Sequence, residues 1–410
     1  MRIAFVVGSF PALAETFLLN QITGLMDAGC HVKIFAGERS GDTIFHEEVV
    51  RHGLFHHARY LDRLPSSRVV RFIKFLLLFP FWLCQAPGPV LASLNAVAYG
   101  REAWSLKLFF MVTAFLEARD YDVVFCHLGE NGLRALRMKQ MGVLKGKIVT
   151  VFQMMDLMGL ARAQVPASLG VLFREGDLFL PVNSFVKHRL MELGCPERKI
   201  LVHRMGVDIA HFDVSTRRRF GPGHLKILSV ARLVEEKGLR YALEALTLAA
   251  DLSCEYVIIG DGPLRPALEA EVLRLGLMAK VRFLGWQDSG TIRRYLKDTD
   301  IFLAPGVAGG DGRHAGIPVV LIEAMASGVP VVTTANASIR DLVEDGRTGF
   351  LVPEKDAAAL AVKLRQLRDA PERVAAVTIA ARQLIEEQYN IKMLNQSLLR
   401  ILTNIIYDTV

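Results

Sequence analysis

The sequence has few of the features that mark secreted, membrane-spanning or fibrous proteins. Its cysteines are five in number and scattered, with no Cys-x-x-Cys pair, so neither a disulfide framework nor a zinc site is indicated. The apolar run from Phe75 to Cys84 is far shorter than the ~18 to 20 residues of a spanning helix, and Pro80 divides it. A hydrophobic share of 51% against 22% charged residues excludes disorder, collagen and coiled coil. The cytosol, a reducing compartment, fits these absences best.

Acidic residues are scarce in one window. Residues 51–110 contain eight Lys and Arg against two acids, so this window holds +6 of the chain's net charge of +7. Bulky apolar residues are interleaved with these cations, a combination that predicts attachment of residues 68–84 to an anionic membrane face through Arg68, Arg71 and Lys74. Nucleic acid is not expected, because no nucleic-acid module is recognised. A buried helical hairpin with a solvated basic edge is the open alternative.

The 410 residues exceed one ordinary domain of ~100 to 200 residues, so two domains are expected. The chain opens with a β-α-β pattern: an apolar run at Ile3 to Val7, helical spacing from Phe17 to Met26, and a strand at His31 to Phe35. The first run has about five residues before Gly8, which is too few for a secretory leader. Further strands are predicted at 123–126, 148–152 and 178–181.

Residues 213–224 are rich in Arg, Gly and Pro, and we interpret them as an interdomain linker. The alternation of strands and helices restarts after it, with strands predicted at 226–230, 256–259, 281–284, 301–304 and 331–333. The predicted fold class is α/β, with two doubly wound Rossmann-like domains. The predicted domains are residues 1–215 and 222–389, and a C-terminal helix of about 390–410 crosses back to complete the first domain.

Ligands of open parallel sheets bind beyond the carboxyl ends of the strands. Arg232 and Lys237 lie five residues apart in the turn after the strand that ends at Val230, and two cations beside a helix start suit a pyrophosphate. Two solvated surface cations are the alternative. Gly260 and Gly262 form a Gly-x-Gly that lacks the third glycine of a dinucleotide fingerprint, so they indicate a tight turn.

A glycine-rich stretch spans residues 304–318 and leads into an apolar helix. Bare backbone amides at a helix start suit an anionic, hydroxyl-rich ligand. Glu323 is an acid on this apolar helix, so its carboxylate must be paired or bound to hydroxyls, for which a ribose diol is a good partner. The alternative is a glutamate on the helix surface. Asp298 and Asp300 precede a strand, so they lie at the amino edge of the sheet, opposite the ligand-binding edge, and an Asp-x-Asp metal site is not expected there.

Together these motifs resemble the retaining glycosyltransferases of the GT-B fold, specifically family 4 (group 1), which includes colanic-acid-type exopolysaccharide enzymes. The likeness covers the C-terminal half and the edges of the N-terminal half. Its matching segments are Gly8-Ser9-Phe10-Pro11, Met205-Gly206-Val207-Asp208, Val230-Ala231-Arg232-Leu233, Glu236-Lys237-Gly238, Gly260-Asp261-Gly262-Pro263-Leu264, Phe283-Leu284-Gly285, Glu323-Ala324-Met325-Ala326 and Asp345-Gly346-Arg347-Thr348-Gly349.

The resemblance implies two domains facing across a cleft, with a nucleotide-diphosphate sugar on the C-terminal domain and the acceptor on the N-terminal domain. Arg232 and Lys237 are then the diphosphate clamp, and Glu323 is the ribose ligand. The resemblance also implies further residues around the donor. These are Gly260 and Gly262 beside it, Gly285 and Trp286 at the edge of the base pocket, and Gly8 across the cleft. The backbone of Gly316, Ile317, Pro318 and Val319 is implied to lie near the sugar.

The implied reaction is front-side transfer with retention from a UDP- or GDP-sugar, with no cofactor and no divalent metal. The implied acceptor is a saccharide. For the synthesis of a cell-surface polysaccharide, this saccharide is expected to be linked to a lipid. Together with the basic window, this predicts a cytoplasmic protein that is peripheral on the inner face of the cell membrane.

The chain departs from the family pattern at two positions. The family spaces two glutamates as Glu-x7-Glu, and the first position here is Ala315; the family's histidine after strand 148–152 is Gln153. His127 and Asp156 remain as polar residues at strand ends and are candidates for catalysis. A non-catalytic nucleotide-sugar-binding paralogue is therefore the alternative function. An NAD-dependent oxidoreductase is disfavoured, because neither half has a Gly-x-Gly-x-x-Gly fingerprint with a following acid.

Overall fold

The computed structural model describes residues 1–12, 16–41, 46–61, 67–116, 120–157, 166–212, 223–308 and 316–407. Within these ranges the chain forms two six-stranded parallel sheets with helices on both faces. The predicted fold class is confirmed. The predicted linker falls almost entirely on residues 213–222, which lie outside the described ranges.

The first sheet has the strand order β3-β2-β1-β4-β5-β6. The central strand β1 is fully buried from Ile3 to Val7, and Phe5 is paired in register with Ile34 on one side and Phe125 on the other. A strand that is covered on both faces has a continuous run of apolar residues, and this run allowed β1 to be predicted from the sequence. The strands are β1 (Arg2–Phe10), β2 (His31–Arg39), β3 (Ala58–Tyr60), β4 (Val123–His127), β5 (Lys147–Phe152) and β6 (Leu178–Pro181).

The second sheet repeats this arrangement with the order β12-β11-β10-β7-β8-β9. Its two faces are covered by separate apolar cores, because the crossover helices lie on both sides. The sequence did not predict the short edge strands β3 and β12, which have three residues each. The strands are β7 (Leu225–Val230), β8 (Cys254–Ile259), β9 (Val281–Phe283), β10 (Ile301–Ala304), β11 (Val331–Thr334) and β12 (Phe350–Val352).

The helices connect successive strands and also form an insertion between β3 and β4. In the first half they are α1 (Thr16–Asp27), α2 (Glu47–Arg51), α3 (Leu54–His57), α4 (Arg68–Gln85), α5 (Pro87–Ser93), α6 (Ala96–Trp104), α7 (Lys107–Leu116), α8 (Gly129–Gln140), α9 (Met154–Leu157), α10 (Ala167–Glu175) and α11 (Ser184–Glu192). In the second they are α12 (Leu239–Leu248), α13 (Arg265–Arg274), α14 (Ser289–Asp298), α15 (Val319–Ala326), α16 (Ala357–Asp369), α17 (Pro371–Gln388) and α18 (Ile391–Ile406).

Helix α4 corrects one expectation, since it continues through Pro80 instead of being divided there. Proline removes one backbone donor from a helix, but the assigned helix still runs over all 18 residues. The Ser67 side chain caps its start by accepting from Val70 N. No helix within the described ranges combines the length and the apolar content needed to cross a bilayer.

The C-terminal helices return to the first half of the molecule. The helical tail predicted from 375 to 407 is in fact two helices, α17 and α18, separated at Tyr389 and Asn390. Val207 N donates to Tyr389 O at 2.9 Å and Val207 O accepts from Ile391 N at 3.0 Å. Beyond this break α18 packs on α1, as predicted for a helix that crosses back.

Gly206 provides a test of this crossing. An added Cβ at residue 206 would lie 2.6 Å from the backbone O of Tyr389, so Gly206→Ala forces the paired backbones apart. We expect the free energy of unfolding, measured by urea denaturation, to fall by about 1 to 3 kcal/mol. The matched control is Gly170→Ala in α10, where an added Cβ meets no atom within 4 Å and helix propensity favours alanine. Equal stabilities for the two variants would contradict this account.

Candidate active site

Three of the predicted site residues lie at the switch points of the two sheets. Strand order reverses between β1 and β4 in the first sheet and between β7 and β10 in the second. Gly8 is near the carboxyl end of β1, His127 ends β4 and Arg232 follows β7. These are the positions at which open parallel sheets bind ligands. An added Cβ at Gly8 would meet no atom within 4 Å, so the space beside this backbone is open.

The two halves meet at the start of α15. An added Cβ at Gly316 would lie 3.7 Å from the Cβ of Met154, which follows β5 in the other sheet. Val319 packs against apolar residues of both halves. Ile317 is buried, and Pro318 is the residue before the first turn of α15. The structure therefore places this predicted donor segment at the boundary between the two sheets.

The two predicted phosphate-binding cations occupy one loop after β7. Arg232 is exposed, and Lys237 is half-buried at the end of a short 3-10 helix. Burial lowers the pKa of Lys237, the positive charge of Arg232 lowers it further, and Glu236 partly offsets both. An anion bound here would relieve the repulsion between the two cations and the cost of desolvating Lys237.

Lys237 lines a pocket at the carboxyl edge of the second sheet. The pocket wall comes from the turns after three neighbouring strands and from the segment that leads into α15. Two lining hydroxyls are already engaged within the protein, since Ser229 Oγ donates to Leu303 O and Thr333 Oγ1 donates to Ala304 O. The lining includes Ser229, Ala231, Pro305, Gly306, Gly316, Pro318, Thr333 and Asn336.

The predicted donor glycines Gly260 and Gly262 support the loop that carries Arg232. Gly260 has φ of 125°, and an added Cβ would lie 2.0 Å from the carbonyl oxygen of Ala231. An added Cβ at Gly262 would lie 2.7 Å from the carbonyl oxygen of Leu233. The turn after β8 thus packs directly on the backbone on either side of Arg232 because these two side chains are absent. Contact of either glycine with a donor stays a prediction.

The predicted base pocket begins where the chain leaves β9. Gly285 O accepts from Gly260 N at 2.8 Å, which ties this turn to the end of β8. The next residue, Trp286, is 43% exposed, and an indole is a suitable surface for a planar base. Beside it, Arg265 Nη1 donates to Asp261 Oδ2 at 2.8 Å.

Glu323 is half-buried on α15, whose neighbouring residues Leu321, Ile322 and Ala324 are buried. Burial raises the pKa of Glu323 to about 7, and the Arg293 guanidinium opposes part of this rise. Among the described residues the carboxylate accepts no hydrogen bond. A carboxylate in this setting gains from hydroxyl groups that donate to it, which is the chemistry predicted for a ribose diol.

His127 lies deeper than a catalytic base would require. Its ring is buried and packs against Phe5, Phe17 and Phe125, with centroid separations of 6.3, 5.6 and 5.5 Å. Neither ring nitrogen has a hydrogen-bond partner in the part of the chain that the structure describes. Burial lowers the pKa of His127 to about 3, with a smaller contribution from His203. The arrangement favours a neutral ring, and a catalytic role for His127 stays a prediction.

The sequence reasoning missed His203. It is buried, its Nε2 has no partner among the described residues, and burial lowers its pKa to about 4. His203 N donates to Pro181 O at 2.9 Å, which places the residue beside the end of β6. His203 lies just before the family segment Met205-Gly206-Val207-Asp208, and this position could have identified it as a candidate site residue.

Asp156 anchors two turns of the first sheet. Its Oδ1 accepts from Gly129 N and its Oδ2 from Gln153 N, each at 2.7 Å. The first bond supplies a cap for α8, which has no capping side chain of its own. Burial raises the pKa of Asp156 to about 6, although both hydrogen bonds oppose the rise. Asp156 therefore anchors these two turns, Gln153 contributes its backbone to the contact, and a catalytic role for Asp156 stays a prediction.

Ala315, which stands at the position of the family's first glutamate, lies outside the described residues. Asp311 and His314 of the same glycine-rich loop also lie outside them. Within the ranges that are described, no three His, Cys, Asp or Glu side chains come together in a group able to hold a metal ion.

Solved structures with the same fold cover nearly the whole chain. HepE of Anabaena, crystallised in complex with UDP-glucose, superposes with a TM-score of 0.73 over 98% of this chain and 100% of that one, at 17% identity. The lipopolysaccharide outer core galactosyltransferase WaaB superposes with a TM-score of 0.63 over 100% of both chains, at 19% identity. At such identities the likeness establishes a shared GT-B glycosyltransferase fold.

Sequence relatives cover the chain equally well. It is 35% identical to the "Putative colanic acid biosynthesis glycosyltransferase WcaL" of Salmonella typhimurium, over 99% of this chain and 100% of that protein. It is also 35% identical to the amylovoran biosynthesis glycosyltransferase AmsK of Erwinia amylovora, over 95% of this chain and 96% of that protein. Residues 14–211 match the family described as Glycosyltransferase Family 4, and residues 224–369 match Glycosyl transferases group 1. The chain therefore belongs to the group 1, family 4 glycosyltransferases.

Proposed function

We propose that this glycosyltransferase moves a sugar from a nucleoside diphosphate sugar to a saccharide acceptor during synthesis of an exopolysaccharide. The observation that carries the proposal is the pair of cations after β7, of which Lys237 lines the pocket at the switch point of the second sheet. The polymer class is supported by the colanic acid and amylovoran enzymes, which match over nearly their full lengths.

In this proposal Arg232 and Lys237 hold the diphosphate, and Glu323 accepts hydrogen bonds from the ribose. Trp286 stacks on the base, and the amides around Gly316 contact the sugar. The first half supplies the acceptor side of the cleft, with the open backbone at Gly8 facing the phosphates.

The proposed chemistry is front-side displacement with retention at the anomeric carbon. The bond from that carbon to the phosphate oxygen breaks while a bond to the acceptor oxygen forms on the same face. The acceptor's proton passes to the departing phosphate oxygen. Arg232 and Lys237 stabilise the negative charge that develops on this phosphate, so the proposal assigns no resident divalent metal to the site.

The proposed acceptor is a saccharide linked to lipid, and the proposed location is the cytoplasmic face of the membrane, to which the protein binds peripherally. The exposed apolar and basic side chains of α4 support this part of the proposal.

The first prediction from this proposal concerns Lys237. We expect Lys237→Ala to lower turnover at saturating donor by roughly 10²-fold or more, because the lost cation stabilises charge that rises in the transition state. The donor would first be chosen from a panel of UDP- and GDP-sugars by thermal stabilisation, and transfer would be followed into a membrane extract. The control is Lys145→Ala, which removes an exposed lysine paired with Asp120. Unchanged turnover would remove Lys237 from the mechanism, whereas nucleotide binding without any turnover in the parent protein would favour the non-catalytic alternative.

A second prediction follows from the raised pKa of Glu323. With a pKa of about 7 in the free protein, the ionised fraction falls from roughly nine-tenths at pH 8 to roughly one-tenth at pH 6. If the ionised form binds the ribose, affinity for UDP or GDP should weaken by roughly 10-fold more in the parent protein than in Glu323→Gln over this interval. Isothermal titration of both proteins measures the difference and cancels the titration of the nucleotide itself. Identical pH profiles would exclude Glu323 as the ribose ligand.

The third prediction concerns metal. Transfer should continue in excess EDTA at a rate within about twofold of the untreated enzyme, because the protein's own cations offset the phosphate charge. Loss of transfer in EDTA, restored by added Mg²⁺ or Mn²⁺, would show that a metal ion shares this role.

A further inference from the structure

The segment that follows β10 forms one wall of the pocket at the carboxyl edge of the second sheet. Pro305 and Gly306 line this pocket together with Lys237, and the chain lines it again at Gly316. The name pocket-wall segment is used below for residues 305–308. Since this segment leads toward the stretch that is proposed to contact the sugar, the groups that hold it also decide where the wall lies.

The turn that carries Lys237 holds one side of the pocket-wall segment. Val307 N donates to Glu236 O at 3.0 Å. Gly238 has φ of 62°, and an added Cβ there would lie 1.9 Å from Pro305 O, so the two backbones touch because residue 238 has no side chain. The place of Lys237 and the place of the pocket wall are therefore linked through the backbone.

Two threonines at the end of β11 hold carbonyl groups at the start of the wall. Thr333 Oγ1 donates to Ala304 O, the last carbonyl of β10, at 2.8 Å. Thr334 Oγ1 donates to Gly306 O. Both threonines are buried, and buried hydroxyls are normally hydrogen-bonded. These bonds fix the first part of the pocket-wall segment, and its last amide, that of Ala308, has a different partner.

Glu354 accepts the hydrogen bond of this last amide. Its Oε2 lies 2.9 Å from Ala308 N. Glu354 is half-buried and follows β12, the outermost strand of the sheet on this side. A hydrogen bond from an amide to a carboxylate is stronger than one between neutral groups. The carboxylate therefore ties the end of the pocket-wall segment to the edge of the sheet.

The turn that carries Glu354 is itself fixed by its neighbours. Lys355 has φ of 59°, a left-handed conformation that residues with a side chain adopt rarely. Asp356 caps the start of α16, since its Oδ1 accepts from Ala359 N at 2.8 Å. Glu354 thus lies between a strand and a capped helix, which gives its side chain the rigid support that a positioning group needs.

We propose that Glu354 is a positioning residue for the donor sugar: its carboxylate holds the end of the pocket-wall segment, and the wall holds the sugar in line with the diphosphate. This inference deepens the proposed function and rests on it for the identity of the donor. Replacing Glu354 leaves the contacts of Pro305 and Val307 with the Lys237 turn in place. The effect should therefore fall on the sugar and its transfer, and only weakly on the nucleotide.

The first test compares Glu354→Ala with Glu354→Gln. The alanine variant loses the acceptor for Ala308 N, whereas glutamine keeps an oxygen at the same position along the side chain and can still accept this bond. The donor is the UDP- or GDP-sugar that stabilises the parent most against heat. We expect Glu354→Ala to lower kcat/KM by about 10-fold or more and Glu354→Gln to lower it by less than about threefold.

Binding measurements separate the sugar from the nucleotide. In isothermal titration, Glu354→Ala should bind UDP or GDP with the affinity of the parent, within about twofold, because the turn that carries Lys237 keeps its own contacts. Its affinity for the same nucleotide's sugar conjugate should fall by about 10-fold. General damage to the fold would weaken both ligands together, so the difference between them reports on positioning.

The matched control is Glu344→Ala, which removes a carboxylate from the other end of β12. Glu344 is 61% exposed and paired with Arg347, so this variant should transfer as the parent does. Three results would overturn the proposal: unchanged kcat/KM in Glu354→Ala, equal impairment of the alanine and glutamine variants, or equal weakening of nucleotide and nucleotide-sugar binding. Nucleotide-sugar binding without transfer in the parent would sink the proposed function instead, and the two titrations would still test Glu354.

Discussion

The backbone of Val207 joins the two stretches of chain that pass between the sheets. One hydrogen bond runs from Val207 N to Tyr389 O and the other from Ile391 N to Val207 O. This pairing fixes where α17 ends and α18 begins, so α18 is directed onto α1, where Asn395 Nδ2 donates to Asn20 O at 3.0 Å. The first half of the fold is thus completed by the last helix of the chain.

Polar contacts also join the halves. Asn183 Nδ2 donates to Ser338 Oγ at 2.9 Å, and Ser184 N donates to Asp341 Oδ2. Polar interfaces of this kind are weaker than an apolar core and favour relative motion of domains. The close approach of Gly316 to Met154 lies at the same boundary, so such motion would change the space available to a ligand at the start of α15.

The titratable groups of the site are of two kinds. Lys237 and Glu323 carry a charge that burial destabilises, whereas the carboxylate of Asp156 already accepts hydrogen bonds. Lys237 is partly desolvated beside Arg232, and Glu323 is partly desolvated on an apolar helix. A diphosphate and a diol would each offset one of these costs. Asp156 has two backbone donors, and it holds the turns after β4 and β5 in place for the rest of the site.

Local sequence determined the alternation of strands and helices and the positions of the cations. Continuous apolar runs such as Ile3 to Val7 signal strands buried on both faces, and Arg232 and Lys237 share one turn whatever the rest of the chain does. The resemblance added the GT-B arrangement and the roles proposed for the donor site. The strand pattern and the shared turn of the two cations depend on residues close together in the sequence.

Only the tertiary structure decided the rest, because it depends on pairs that are far apart in the chain. The three-residue strands β3 and β12 exist through pairing with β2 and β11. Asp156 finds its donor in Gly129, Gly260 meets Ala231, and the outward face of α4 is exposed because α7 occupies the other side. Periodicity can show that a helix has an apolar face, but whether that face is buried depends on what packs against it.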